Sequence, residues 1–534
     1  KEIGYAESGG APYVLADALM YADDKLAVQM KNMSLRLQGQ SREGLESLWR
    51  RTPSREANGK PVQSADTADT ADTSDVTSQP REAFARPTDT TATAEKAHAS
   101  HVADAHRGIA QQETGRADTP LFDRRRILAI AEGKPSEAFG EPYRVFDQDR
   151  VIARLPRPPF LFLDRVTSIE ECRAWELKPG GRIEAQYDVP PDAWYFSSQR
   201  QPQMPFCVLM EVALQPCGWF AAYLGSALRS EHDLAFRNLG GSGRQWRDVT
   251  PESGTLTTRV SITSISQSGD MIIQHFEFEV RDHLGMVYAG KTYFGFFTRE
   301  SLAHQVGLTD AVPYVPPAEE LALAEQFDYP TEFPFPDDSL RMVHRIDVLL
   351  SEGGPHRLGF IEGSIEVDPA AWFFEAHFYQ DPVWPGSLGV ESFVQLLKVL
   401  AWRRWGGGAL PASSLGAEHV ASGAASDTTA GNRIRWTVAA AGGDSAETTS
   451  GETPHQTPPG SRGSTAKQPG PGDGTHDWTY RGQIIPGDHR VTVQAVVVER
   501  DEKARRLTAE GYLCVDGRII YRIKRFTLTM CDEP

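Results

Sequence analysis

Apolar residues gather into two long runs, 206–228 and 387–404, and each run is hydrophobic on nearly every face of a helix. Each carries a single acidic residue, Glu211 in the first and Glu391 in the second. Shorter runs alternate apolar and polar positions as strands do. They lie at 158–169, 181–189, 255–265, 271–281 and 286–297, and again at 342–350, 358–367, 479–485, 490–499, 505–515 and 518–529. One buried helix followed by several long antiparallel strands is an α+β pattern. A helix apolar all round has to be enclosed, and a strongly curved sheet is the simplest enclosure.

The two series are copies. Asp192-Ala193-Trp194-Tyr195-Phe196 recurs as Pro369-Ala370-Ala371-Trp372-Phe373-Phe374. Pro205 and Pro385 lie 180 positions apart, as do Glu211 and Glu391, and Gln215 and Gln395. Constant spacing over several landmarks identifies a repeated folding unit. The copies differ where chemistry would occur. His377 follows Trp372 by five residues, and Gln199 stands at that place after Trp194. One histidine and two glutamates across two copies suggest a single composite active site.

A third piece of the pattern lies near the start. Residues 16–37 align without a gap on 509–530, Asp23 on Asp516 and Lys31 on Lys524. Both read as two strands around a short turn. The predicted organisation is therefore a closing hairpin of an upstream unit (1–41), a disordered linker (42–120), a first unit (121–305), a connector (306–330) and a second unit (331–534) interrupted at about 406–476. The linker repeats Ala-Asp-Thr, and the interruption is rich in Gly, Ser, Thr and Pro. Neither buries enough apolar surface to offset chain entropy. A start at Lys1 reads as part of a longer polypeptide.

Composition narrows the classes. The 534 residues carry a net charge of −17, which argues against a nonspecific nucleic-acid binder. Five scattered cysteines form no CxxC pair, so structural zinc is not expected and a reducing, cytoplasmic compartment is. The run 206–228 approaches the length of a bilayer span, but Glu211, Gln215 and Pro216 favour a core helix over a membrane span.

The stretch Trp372-Phe373-Phe374-Glu375-Ala376-His377-Phe378, then Asp381-Pro382-Val383-Trp384-Pro385-Gly386-Ser387-Leu388-Gly389, resembles the histidine and helix-entry motif of FabA-like 3-hydroxyacyl-[acyl-carrier-protein] dehydratases. Tyr480-Arg481-Gly482-Gln483-Ile484-Ile485-Pro486 and Val515-Asp516-Gly517-Arg518-Ile519-Ile520-Tyr521 are similar to that family's closing stretch. Met204-Pro205-Phe206-Cys207-Val208-Leu209-Met210-Glu211, Leu214-Gln215-Pro216-Cys217-Gly218-Trp219 and Thr292-Tyr293-Phe294-Gly295-Phe296-Phe297 look like the dehydratase region of polyunsaturated fatty acid synthases. The resemblance covers roughly 122–405, 477–534 and the hairpin at 16–37. It implies a tandem (double) hotdog, each unit a long central helix wrapped by a curved antiparallel sheet. It implies a lyase that dehydrates 3-hydroxyacyl-ACP to trans-2-enoyl-ACP in fatty acid, polyunsaturated fatty acid or polyketide-type synthesis. It also implies sites shared between units: His377 facing Glu211, and an inactive mirror site of Gln199 and Glu391. The family commonly has Asp where Glu211 stands, and the first unit has two fewer residues between its Trp and Pro.

Such a reaction needs a base for the C2 proton, an acid for the departing C3 hydroxyl, and donors for the charge on the thioester oxygen. Imidazole suits the first, a buried carboxyl the second, and amides at a helix start the third. The assignments are His377 as base, Glu211 as acid or as holder of the leaving water, and the Gly386 amide as oxyanion donor. Cys207 reads as packing, and Trp194 and Trp372 as core. Isomerisation of the trans-2 double bond to cis-3 fits the same pocket, and the sequence does not separate the two outcomes. The alternatives are a hotdog acyl thioesterase and a non-catalytic hotdog that docks acyl carrier protein in a megasynthase. No cofactor is implied, since the phosphopantetheine arm belongs to the carrier protein. The expected partners are that carrier protein and other synthase domains, with self-association as a homodimer left open. Arg403, Arg404 and Arg525 are candidates for carrier docking at the tunnel mouth.

Overall fold

The computed structural model describes residues 13–22, 25–36, 120–406, 434–438 and 474–532. The first compact unit contains an antiparallel hairpin of β1 (Tyr13–Ala22) and β2 (Lys25–Arg36), closed by the pair Ala22↔Lys25. The aligned hairpin at the other end of the chain closes at the matching pair, Val515↔Arg518. The predicted linker lies outside the described residues, apart from its last residue.

The second unit contains both copies. The upstream copy comprises β3 (Arg165–Glu170), β4 (Arg182–Asp188), helix α1 (Phe206–Tyr223), β5 (Leu234–Gln245), β6 (Thr255–Ser268), β7 (Met271–Asp282) and β8 (Gly285–Thr298). The downstream copy comprises β9 (Glu325–Asp328), β10 (Arg345–Leu350), β11 (Phe360–Glu366), α2 (Gly386–Trp405), β12 (Ile434–Thr437), β13 (Thr475–Tyr480), β14 (Arg490–Asp501), β15 (Arg506–Val515) and β16 (Arg518–Asp532). Strand order is β3-β4-β6-β7-β8-β5 in one copy and β10-β11-β14-β15-β16-β13 in the other, with β9 added beside β10. The two orders are identical element for element. The copies join edge to edge through antiparallel β5 and β13, from Thr475↔Arg244 to Thr479↔Gly240. This is a double hotdog, α+β.

The central helices are enclosed as their composition requires. In α1 every residue but Gly218 is buried, so the one helix of the described residues long and apolar enough to cross a bilayer is a core helix. Pro216 lacks the N–H that would reach the Val212 carbonyl. The Thr258 hydroxyl donates to that carbonyl instead, at 3.2 Å. Residues 124–146, for which the sequence predicts no elements, form two short helices and a 3-10 turn. They set Phe122 and Phe139 against Trp219 and Tyr223 at the C-terminal end of α1, where the Tyr143 hydroxyl donates to the Ala222 carbonyl.

Three expectations change. Strand β5 is absent from the sequence reading, because Leu239-Gly240-Gly241-Ser242-Gly243 has no alternation. A β-carbon at Gly241 would lie 2.4 Å from the Trp478 ring, and one at Gly243 2.5 Å from the Tyr288 hydroxyl. The glycines admit aromatic side chains flat against the junction. The strand placed at 479–485 is β13, Thr475–Tyr480. Within the interruption, predicted disordered throughout, β12 pairs with β16 from Ile434↔Asp532 to Thr437↔Thr529, and Trp436 is buried. The rest of that interruption lies outside the described residues, apart from its two ends.

Candidate active site

His377 ends the short helix Trp372–Ala376 as its C-cap, and its amide donates to the Phe373 carbonyl at 2.8 Å. The backbone then doubles back, and the Val383 amide donates to the His377 carbonyl at 2.8 Å. Nδ1 of the ring lies 3.1 Å from the Val383 carbonyl oxygen. A carbonyl can only accept, so that bond assigns the proton to Nδ1 and leaves the lone pair on Nε2. The residue is 8% exposed, and burial lowers its pKa from 6.5 to about 3. At neutral pH the imidazole is uncharged and can accept a proton.

Glu211 lies in the second turn of α1 and is 7% exposed. Its Oε1 accepts from the Ser387 hydroxyl at 2.6 Å and its Oε2 from the Gln215 amide at 3.0 Å. Ser387 belongs to the downstream copy, so this bond crosses between the halves. Burial raises the Glu211 pKa, and the two donors oppose the rise. Gln215 is itself fixed, by the Phe162 amide at 2.7 Å and the Phe160 carbonyl at 2.8 Å.

Gly386 is the first residue of α2, directly after Pro385, and no side chain caps this helix start. The first-turn amides of such a helix have no internal acceptor. The Gly386 carbonyl accepts from the Tyr480 hydroxyl at 3.1 Å, and a β-carbon at Gly386 would lie 2.7 Å from the Tyr480 ring. His377, Glu211, Gly386 and Ser387 all line one cavity of about 100 Å³, whose apolar wall includes Met210, Leu214, Phe236 and Phe294. Both copies contribute to that wall.

Two further cavity-lining residues escape the sequence reading. Ser387 lies within the helix-entry stretch, but nothing in that stretch assigns it a role. Arg237, on the glycine-interrupted β5, belongs to no pattern at all. Its guanidinium grips Asp381 through two bonds of 2.7 and 2.8 Å, and its Nε donates to Gln483 at 2.8 Å. Asp381 sits four residues after His377, so this clamp ties the histidine loop of one copy to β5 of the other.

The mirror site is built differently. Gln199 donates to the Gln203 carbonyl at 3.4 Å. Glu391, 1% exposed, accepts from Gln395 at 3.1 Å and pairs with Lys398 at 3.5 Å, while its Oε2 has no partner. At the 180-residue offset, Phe206 replaces Gly386, Cys207 replaces Ser387, and Lys398 replaces Gly218. The Phe206 ring packs against Tyr288, His476 and Phe526. Strand β12 covers this side. The Trp436 carbonyl accepts from Gln203, and its indole donates to the Pro334 carbonyl at 3.1 Å. The remaining space is about 20 Å³. Burial pushes the Cys207 thiol upward, so it is not a nucleophilic thiolate.

The tryptophans of the repeat are half-buried and meet each other, with ring centroids 5.3 Å apart. The three docking arginines are not at the cavity. Arg403 and Arg404 lie in the last turn of α2, roughly 25 Å along the helix from Gly386 at 1.5 Å per residue. Arg403 pairs with Glu325, Arg404 with Glu352 and Glu502, and Arg525 with Asp477.

The family described as FabA-like domain matches residues 155–289, 335–419 and 458–524. A curated relative from Thraustochytrium sp. (strain ATCC 26185 / S-3), one of the subunits of a polyunsaturated fatty acid synthase, is 26% identical over 434 residues. That similarity covers 75% of this chain and 25% of the relative, so the chain spans about a quarter of the relative's length. Among solved structures, the dehydratase domain from the CurJ module of curacin polyketide synthase is 12% identical and covers 70% of this chain and 96% of its own, with a TM-score of 0.34. A putative oleoyl thioesterase from Lactobacillus plantarum is 11% identical and covers 66% of this chain and 98% of its own, with a TM-score of 0.34.

Proposed function

This chain belongs to the FabA-like family, and from that premise we propose that it removes water from 3-hydroxyacyl thioesters carried by an acyl carrier protein, giving trans-2-enoyl thioesters. The observation that carries the reading is the pairing, in one cavity, of an uncharged imidazole with a carboxyl of raised pKa. Groups whose environments push them in opposite directions make a base and an acid that coexist at neutral pH.

In the proposed reaction His377 Nε2 takes the C2 proton. Electrons move into the C2–C3 bond as the C3–O bond breaks, and protonated Glu211 supplies the proton with which the hydroxyl leaves as water. The thioester oxygen, negative in passing, faces the first-turn amides of α2, Gly386 among them. Ser387 holds Glu211 against the substrate side of its helix. General acid–base help contributes about 10²–10⁴ in rate, and positioned donors a further 10²–10³.

Carrier protein and neighbouring synthase domains are the proposed partners, in keeping with the relative's name. Isomerisation to the cis-3 product would need the same base to take a C4 proton and return one to C2.

The test presents a 3-hydroxyacyl carrier substrate to this chain and identifies the products by mass spectrometry. The expected result is a trans-2-enoyl product whose rate falls roughly 10²–10⁴-fold in His377→Ala. Unchanged turnover in that variant removes the assignment. Release of free thiol without enoyl product replaces it with the thioesterase reading.

A further inference from the structure

Arg154 is the charged side chain of the cavity that the proposed chemistry leaves unused. It is 7% exposed and lines the same space as His377 and Glu211. Its Nη1 donates to the Gly133 carbonyl at 2.8 Å and to the Ala129 carbonyl at 3.4 Å. Its Nε is buried and has no acceptor. Among the described residues no carboxylate reaches ion-pair distance of it. Asp147, whose charge it feels, is engaged by the Ser136 amide at 3.0 Å and hydroxyl at 2.6 Å. The other guanidinium of the cavity, Arg237, is matched by Asp381.

A guanidinium keeps its charge when buried, and a buried charge without a counter-ion is costly. Such a group is expected where a ligand supplies the missing anion. Its position says which part of a ligand that is. The guanidinium carbon lies 5.4 Å from the centre of the Tyr379 ring, and Tyr379 is 37% exposed, so Arg154 borders the outer end of the cavity. The mirror copy marks the same place. The Phe162 and Met342 amides bind the equivalent glutamines Gln215 and Gln395, which puts Pro334 opposite Arg154 at the 180-residue offset. Pro334 is where the Trp436 indole docks. One copy closes its mouth with an aromatic residue, and the other lines it with an unmatched cation.

We propose that Arg154 binds a phosphate on the arm that carries the thioester into the cavity, holding the arm at the mouth while the acyl group lies beside His377. The planar fork of arginine matches phosphate oxygens with two parallel bonds. This inference rests on the proposed thioester substrate and adds the group by which it is anchored.

The test compares one 3-hydroxyacyl group on two arms, pantetheine and 4′-phosphopantetheine. The intact chain should show a KM for the phosphorylated arm lower by roughly 10- to 100-fold, the range of a hydrogen bond to a charged group. In Arg154→Met that ratio should collapse toward one. Arg154→Lys, which keeps the charge and loses the fork, should restore part of it. A ratio unchanged in Arg154→Met overturns the proposal. A second readout does not depend on turnover: calorimetric binding of 4′-phosphopantetheine alone should weaken by a similar factor in Arg154→Met. Equal binding by folded wild type and variant overturns the anion site even if dehydration is observed. A phosphate-dependent difference in binding without any enoyl product supports the site and refutes the reaction instead.

Discussion

Replacing each helix glutamate by glutamine should give opposite outcomes at two positions that the repeat makes equivalent. Glu391 is the anion of a pair whose side chains are 1% and 3% exposed. Glu391→Gln leaves the Lys398 ammonium buried without a counter-ion, and breaking a buried pair in this way costs about 3–5 kcal/mol. At about 2–4 °C per kcal/mol for a unit of this size, melting should fall by roughly 6–20 °C. Enoyl formation by the folded fraction should persist, because Glu391 faces the closed cavity. Glu211 pairs with no cation, so Glu211→Gln leaves no buried charge without its partner. Burial raises its folded pKa above the unfolded 4.5. Its contribution to stability is therefore fullest below that value and is lost as pH rises through the folded pKa. The glutamine variant should equal wild type near pH 4 and gain on it toward pH 8, while turnover falls about 10²–10⁴-fold. Thermal melts across pH, run beside product assays on the same preparations, test both halves. Loss of turnover in Glu391→Gln with retention in Glu211→Gln would refute the assignment of the working site.

Gly386→Ala should lower kcat by about 10²–10³ with little change in KM, because its β-carbon meets the Tyr480 ring and displaces the helix start; steady-state kinetics would show it. Trp436→Ala should cost about 3–5 kcal/mol in denaturant titration and leave kcat unchanged, since the indole fills the mirror side. His377 and His476 titrate at about 3 and about 4 in the folded chain, below the ordinary 6.5. Each therefore contributes stability above pH 6.5 that drains away toward those values, by about 1.4 kcal/mol per pH unit per group. Unfolding measured between pH 7 and 4.5 should show the slope, and His377→Gln should reduce it; equal slopes would contradict the burial argument.

Much of the fold could be read from the residues because it is written in periodicity. Two largely apolar helices, the meanders after them and the matched landmarks pointed to both hotdogs. That His377, Glu211 and Gly386 would share one cavity was legible because each sits in a repeated or motif-bearing stretch. Three things were not. Strand β5 owes its existence to Trp478 and Tyr288 lying across its glycines, a cause held in residues far along the chain. Arg237 and Arg154 have no local signature, and their meaning comes from what does and does not approach them in space. Strand β12 is four residues long in a polar tract, and only β16 beside it makes it a strand. The arginines expected at the tunnel mouth are elsewhere for a simpler reason: charge in the sequence does not say which end of a helix, as for Arg403 and Arg404, or which part of a strand, as for Arg525, lies at the cavity.

The edge-to-edge ladder of β5 and β13 has an evolutionary corollary. Duplication commonly yields a spare, free to drift while its sibling works. Here neither copy is a spare, because one supplies the histidine loop and the other the carboxylate, and a shared seam of strands keeps them in register. With Gln199 and Phe206 on the mirror side, the proposed chemistry has one cavity, and both copies line it. On the proposed reaction, truncation within either copy should abolish turnover rather than halve it.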